Sequence, residues 1–395
     1  MTTPSTLPAT TDVLIAGAGP TGLTLAVALT AAGTDVVLVD KQAAGANTSR
    51  ACVVHARTLE VLENLKVTGD LLSRGLIVPW FSVRDGDRVL MRLGFGGLPT
   101  PHPYTLMIPQ SVTEEVLAAR LAALGGRVHR PQEVTAVAQD AGGVTATMAG
   151  GEIVRARYLV AADGMHSVVR EQAGIGFTGD SYQESFVLAD LQMDWPLPRE
   201  EVTIYFAPAG LMLVAPLPGD RQFRIVATTA DAPEHPDRAY LQALLGARGP
   251  RRQPAVVTEA GWGSRFHIHH RLADRYREGR ILLAGDAAHV HSPAGGQGMN
   301  TGIQDAVALA GRLAAVVRDG GSEGELDRYE AERRPVAARV VALTDRMTRA
   351  ATAAGRPRQQ ARNLAMQALG RVPAVRRAVA MNLSELVYDP QRSRK

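Results

Sequence analysis

The run Asp12–Asp40 constrains this chain more than any other. Val13–Leu14–Ile15–Ala16 is a short apolar stretch of the kind buried on both faces of a parallel sheet. GAGPTG follows, with Gly17, Gly19, Pro20 and Gly22, and an apolar helix continues through Leu23–Leu29. Gly33 stops that helix, and Val36–Val37–Leu38–Val39 is the next strand, with Asp40 at its tip. The glycines permit a tight turn, close approach of backbone to a pyrophosphate, and close packing of helix on strand. The helix N-terminus offers free N–H groups to phosphates. Asp40, about twenty residues beyond the glycines, is placed to accept hydrogen bonds from a ribose diol. Strand, helix and acid together read as dinucleotide binding rather than as a glycine-rich turn of an unrelated α/β unit. They also argue against a membrane span over Val13–Leu29, which the glycines and Pro20 interrupt.

A second site of the same kind lies far along the chain. In Ile281–Ala306, ILLAGDAAHVHSPAGGQGMNTGIQDA, an apolar strand stops at Gly285–Asp286. A glycine-rich loop with almost no charge follows, and a helix is expected after Asn300. Asp286 leads a loop of little bulk at Gly295, Gly296 and Gly298, suited to a large flat ligand on bare backbone with a polyol hydroxyl held by the acid.

The chain has 395 residues and 46% hydrophobic content, enough for one large or two medium domains. Lys+Arg 43 against Asp+Glu 39 gives +4, interspersed, which weakens a nucleic-acid reading; the basic cluster near Arg376–Arg377, Arg392, Arg394 and Lys395 reads as a solvated tail. Cys52 stands alone, so there is no intramolecular disulfide, CxxC pair or cysteine metal site. The leader MTTPSTLPATT lacks a basic region and does not read as a signal peptide, so the expected location is cytoplasmic.

Helices are expected at Thr58–Asn64 and Thr113–Leu124, the latter with Glu114 and Glu115 in its first turn. Val128–His129 and Val134–Val137 read as strands returning to the first sheet. Ile153–Ala161 reads as a strand pair running into Asp163–Gly164 and a helix at Ser167–Glu171. From Phe186 to Thr229 the texture changes to short β-prone runs, Val202–Phe206, Leu211–Pro216 and Phe223–Thr228, separated by Pro and Gly: an antiparallel sheet. Phe266–His270 is its expected last strand. Helices Ile303–Val317 and Leu326–Thr348, with a kink at Pro335, and a helical Ala/Arg-rich remainder complete the chain.

Three landmarks, GAGPTG with Asp40, AADGMHS (Ala161–Ser167) and AGDAAHVHSPAGGQGMN (Ala284–Asn300), resemble in order and separation the single-component FAD-dependent aromatic hydroxylases. That family includes the para-hydroxybenzoate hydroxylase-like, polyketide-tailoring and antibiotic-modifying monooxygenases. The resemblance covers nearly the whole chain. It implies an α/β (α+β) fold: a Rossmann-like FAD-binding domain with an inserted antiparallel-sheet substrate domain and C-terminal helices. The expected divisions are 1–75, 111–180 and 273–325 for FAD, an excursion at 76–110, the substrate sheet at 181–272, and helices at 326–395. By resemblance, Gly17, Gly19, Pro20 and Gly22 hold the FAD pyrophosphate and Asp40, followed by Lys41, the adenosine ribose. Arg50 lies near the pyrophosphate and mobile-flavin region, Gln110 at the flavin chain and Val134 at the adenine. Asp163 serves both FAD and NAD(P)H. Gly285 and Asp286 meet the ribityl hydroxyls or a pyrophosphate-side group, and Pro293, Gly296, Gly298, Met299 and Asn300 line the isoalloxazine. Asp40 stands where Glu is more usual and Lys41 where Arg is common, which leaves NADPH or NADH open. The chain is also too short for the thioredoxin-like domain of many polyketide hydroxylases.

The implied reaction takes hydride from NAD(P)H to the flavin, forms a flavin C4a-hydroperoxide with dioxygen, and passes oxygen to a small aromatic substrate in a dry cavity. No second GxGxxG unit occurs downstream, which excludes the paired-Rossmann disulfide reductases. The expected partners are the aromatic substrate and dioxygen, with no nucleic acid and no membrane, in a monomer or homodimer. Baeyer–Villiger oxygenation and a non-catalytic flavin-binding sensor or sequestering protein are the alternatives. A halogenase is disfavoured by the scattered Trp80, Trp195 and Trp262. No catalytic side chain and no metal ligand is assigned. His267, His269, His270, His289 and His291 read as mainly structural, with a substrate-deprotonating role open for one of them. Ser167 reads as a helix cap rather than a nucleophile. Tyr104, Phe206, Met212, Phe223 and Trp262 are candidates to face substrate, undecided against core.

Overall fold

The computed structural model describes residues 7–45, 51–229, 233–293, 295–351, 355–389 and 392, without the side chains of 181–184, 266–268, 351 and 356. Its first sheet runs Arg277–Glu278, Ile281–Leu283, Ile153–Ala161, Thr10–Ala16, Val36–Val39, Val128–His129. Thr10–Ala16 is parallel to both of its neighbours, and Ile281–Leu283 is parallel to Ile153–Ala161. Val13, Leu14, Ile15, Leu159 and Val160 are fully buried, as an unbroken apolar run requires in a sheet covered on both faces. Helices Pro20–Ala31 and Gly298–Val317 pack together beside this sheet.

The register decides where the site lies. Ala16 pairs with Val39 and with Ala161, and Ala161 pairs with Leu283. Four strands therefore end level, and Gly17, Asp40, Ala162–Asp163 and Ala284–Gly285 emerge side by side. Ligands of open α/β sheets bind beyond such carboxyl ends.

The second sheet has eight strands: His289–Val290, Val256–Ala273, Phe177–Asp194, Gln222–Thr229, Gly210–Pro216, Glu201–Ala207, Trp80–Asp85, Arg88–Gly94. Its pairings are antiparallel except Glu201–Ala207 with Trp80–Asp85. Helix Arg238–Arg248 covers one face, where Met212, Phe223 and Ile225 are buried with Leu241 and Leu245. A small sheet of Val53–Val54, Thr105–Met107 and Leu76–Val78 and the helices Gly324–Ala351, Arg356–Leu369 and Pro373–Leu383 complete the fold.

Several elements differ from those expected. Ile153–Ala161 is one strand, not a pair; its antiparallel partner is Gly143–Met148, whose small residues carry little apolar signal. Val134–Asp140 joins the first sheet only through that hairpin. The helix expected from Thr113 starts at Gln110, so Glu114 and Glu115 sit beyond its first turn. The helix expected after Asn300 starts at Gly298, and Phe266–His270 is the middle of an 18-residue strand, Val256–Ala273. Ser167 does cap its helix, accepting from Arg170 N at 3.0 Å. Pro335 lies inside helix Gly324–Ala351.

Candidate cofactor and substrate site

The first turn is closed by two contacts that only glycine allows. Gly17 adopts φ +101°, and a Cβ there would overlap the carbonyl oxygen of Ala162. A Cβ on Gly22 would overlap the carbonyl oxygen of Gly17, so the helix sits directly on the turn. Asp40 Oδ2 accepts from Ala18 N at 2.7 Å, and Oδ1 accepts from Gln42 N at 2.8 Å and Arg130 Nη1 at 3.0 Å. Arg130 also donates to the carbonyls of Gln42 and Ala44. Sequence reasoning missed Arg130; the available signal was its place just beyond Val128–His129, the strand next to Val36–Val39.

The glycine loop is stitched from behind. Asn300 Oδ1 accepts from His55 N at 2.8 Å, and its Nδ2 donates to Val53 O at 2.9 Å and Gly296 O at 2.8 Å. His55 Nε2 lies 2.8 Å from Gly295 O, and a carbonyl only accepts, so this nitrogen carries the hydrogen. Burial lowers His55 to about 4, which keeps it neutral near pH 7. The C-terminal helices support the same loop: Gln297 Nε2 donates to Asn382 O at 3.3 Å, and Thr348 Oγ1 and Ser292 Oγ are hydrogen-bonded at 2.7 Å.

A cavity of about 570 Å³ opens on these strand ends. Gly17, Gly19, Pro20, Asp40, Lys41, Gln110, Val134, Asp163, Asp286, Pro293, Gly296, Gly298 and Met299 line it. Gly22, Gly285 and Asn300 do not: they stand behind it, and Asn300 spends its amide on the loop rather than facing the cavity as expected. Arg50 lies outside the described residues. Lys41 is exposed, 4.0 Å from Glu133. Gln110 Nε2 donates to Glu114 at 2.8 Å, and burial raises Glu114. Burial likewise raises Asp163, whose Oδ1 is enclosed without a hydrogen-bond partner among the described residues. Asp286 is exposed in the turn Gly285–Ala287.

The opposite wall is the second sheet. Leu188, Val202, Ile204, Leu213, Ala215 and Val226 face the cavity, with Arg224 among them. These residues alternate along their strands. Met212 and Phe223 have the opposite parity and lie under helix Arg238–Arg248, so they do not face substrate. Tyr104, Phe206 and Trp262 do not line the cavity either; Phe206 stacks under Arg362, 4.6 Å from its ring centre. Met347 and Leu383, from the C-terminal helices, do line it.

Next to the loop lies a buried charge cluster. His289 Nε2 and Arg333 Nε each lie 2.6 Å from an oxygen of Asp305. Burial opposes the Asp305 charge, but Arg333 and His289 outweigh it and hold the carboxyl below its ordinary range. His291 stacks on His289 at 6.3 Å and lines the cavity; burial, then His289, lowers it to about 4. His269 also lines the cavity, and the side chain of His267 lies outside the described residues. Among the described residues no three His, Cys, Asp or Glu side chains are placed to hold a metal ion, and no helix is long and apolar enough to cross a membrane.

Glu385 is fully buried beside this cluster, bonded to Gln304 Nε2 and 3.4 Å from Thr301 Oγ1. Burial pushes it up to about 8, against the opposing pull of Arg333. The folded protein keeps a proton that the unfolded chain releases near 4.5, so this group lowers stability as pH rises from there to about 8. Glu385→Gln is expected to remove that loss. Urea midpoints at about pH 5.5 and 8.5 should lie closer together in the variant than in the parent; an unchanged gap contradicts the assignment.

Level strand ends, a tight glycine turn and a bare glycine loop facing an apolar wall define a protein with a dinucleotide-type cradle opposite an apolar sheet face. The chain belongs to the FAD binding domain family, which residues 10–344 match. It is 41% identical over 340 residues to 6-methylpretetramide 4-monooxygenase of Streptomyces rimosus, covering 84% of this chain and 61% of that protein. The chain thus spans about three fifths of that relative's length. In structure it matches the anhydrotetracycline hydroxylase of Streptomyces rimosus with TM-score 0.81 at 36% identity, covering 95% of this chain and 76% of the other. It also matches p-nitrophenol 4-monooxygenase of Pseudomonas putida DLL-E4 with TM-score 0.87 at 25% identity, covering 96% and 99%.

Proposed function

We propose that this protein is an FAD-dependent monooxygenase that uses NAD(P)H and dioxygen to hydroxylate a phenolic or polycyclic aromatic small molecule. The observation that carries the reading is one cavity with a dinucleotide cradle on one side and an apolar sheet face on the other. The donors suit FAD: the turn at Gly17–Thr21 and the helix start at Pro20 take the pyrophosphate, and Asp40 the ribose diol. Pro293, Gly296, Gly298 and Met299 give the flat ring a floor without bulk, and Asp286 a carboxylate for its hydroxylated chain. FAD supplies the redox step, accepting hydride and activating dioxygen. The chain's own part is to orient two flat molecules and exclude water, through Leu188, Val202, Ile204, Leu213, Ala215 and Val226. Polyketide-like substrates are supported by the monooxygenases it resembles, named for a pretetramide and anhydrotetracycline.

Purified protein is expected to retain FAD and to oxidise NADPH or NADH faster when an acceptor aromatic is added, with one oxygen atom from labelled dioxygen in the product. Tight aromatic binding without stimulated NAD(P)H consumption, across a panel of phenols and polycyclic polyketides, would instead indicate a sequestering flavoprotein.

A further inference from the structure

We propose that Asp190 determines the charge of the substrates this cavity admits, by cancelling the cation of Arg224 on its apolar wall. The inference rests on the aromatic-substrate reading above and adds a charge class to it: uncharged rings over carboxylated ones. Arg224 is the one permanently charged side chain among the described residues of the sheet face that lines the cavity. It is buried, with 1% of its side chain exposed, between Leu213, Ala215 and Val226 on the same wall. A guanidinium does not lose its proton under working conditions, so burial there demands a partner.

That partner is built into the sheet. Asp190 and Arg224 face each other in register on adjacent antiparallel strands. Nε donates to Oδ1 at 2.6 Å and Nη2 to Oδ2 at 2.8 Å, a bidentate fork, while Nη1 donates to Ala51 O at 3.0 Å. Planar carboxylate recognition by Arg224 is thereby already taken up. A ligand carboxylate would bring a second negative charge to a pair that is neutral as a whole, and would lose its own hydration on entering. An uncharged ring meets no such penalty. Without Asp190 the same cation would attract a carboxylate into the apolar wall.

The test compares 2-naphthol with 3-hydroxy-2-naphthoate, two rings that differ by a carboxylate, as ligands of the FAD-loaded protein followed by flavin absorbance. The parent protein is expected to bind the naphthol more tightly by about tenfold or more. Asp190→Asn keeps the size and one acceptor, and should move the affinity ratio toward the naphthoate by about tenfold or more. The double variant Asp190→Asn/Arg224→Gln, with both charges gone, should return the ratio to within about threefold of the parent. Arg224→Gln alone, which strands the acid, should weaken naphthoate further, and this arm decides the matter should Asp190→Asn fail to fold. An unshifted ratio in a variant that keeps FAD and still binds naphthol overturns the proposal and leaves the monooxygenase reading intact. So does a parent protein that binds both rings equally or neither. A parent protein that does not retain FAD overturns both.

Discussion

An Asp305→Ala protein is expected to lose about 3–5 kcal/mol of unfolding free energy, the cost of leaving buried partners without their counter-charge. Asp305 and His289 are wholly buried and Arg333 nearly so. One carboxylate serves both, and the guanidinium cannot relieve its isolation by giving up a proton. Asp305→Asn keeps the shape and loses the charge, so its loss should fall between parent and alanine variant. Urea unfolding of the three proteins measures this; a loss below about 1 kcal/mol in the alanine variant would mean that the cluster is solvated or rearranges. The sign with pH is fixed by the lowered carboxyl. Its stabilisation is present above the ordinary value of 3.8 and disappears as pH falls through the lower folded value.

Two alanine variants in the first turn should separate folding from cofactor binding. Gly19 has φ −75° and ψ −175°, ordinary extended backbone, and a Cβ there meets nothing within 4 Å. Gly19→Ala should therefore fold like the parent. Its methyl group enters the space proposed above for the pyrophosphate, so FAD affinity should fall by about a hundredfold, about 2.7 kcal/mol. Gly22→Ala meets the carbonyl oxygen of Gly17 instead, and should lose about 1–3 kcal/mol of stability, or fail to fold. Equilibrium dialysis of FAD beside thermal unfolding distinguishes the two. A Gly19→Ala protein that binds FAD as the parent does would remove the cradle reading of this turn.

The parts of the site legible in sequence were those written in backbone chemistry. GAGPTG, Asp40 and the loop after Asp286 announce themselves because positions such as Gly17, Gly22 and Gly296 have no room for a side chain and an acid marks the end of the strand. The level strand ends were implied by apolar runs that stop at these positions. What escaped were contacts between segments far apart in the chain. His55 is unremarkable in its own neighbourhood and Asn300 was expected at the flavin ring, while their bond spans the sequence from a small sheet to a helix start. Arg224 and Asp190 meet only through strand register, which depends on the lengths of the intervening turns. The same parity sent Met212 and Phe223 to the wrong side: each sits in a β-prone run, and a shift of one residue exchanges cavity for core. Met347 and Leu383 come from C-terminal helices, and Glu385 from just beyond Pro373–Leu383, to which the sequence assigned no part in the site, whereas they touch the cavity or its support.

The loop that carries Pro293 to Asn300 is held in place by Thr348 and Asn382, and the helix that follows it by Glu385, near the far end of the described chain. On a translating ribosome the first turn, its strand and the His55–Asn300 stitching of the loop emerge early, yet the floor for the flat ring lacks this second support until the helices bearing Thr348 and Asn382 have cleared the exit tunnel. Firm retention of the coenzyme is therefore expected only once these helices have emerged. Nascent chains stalled before residue 348 should release FAD freely, and those stalled well past residue 385 should retain it.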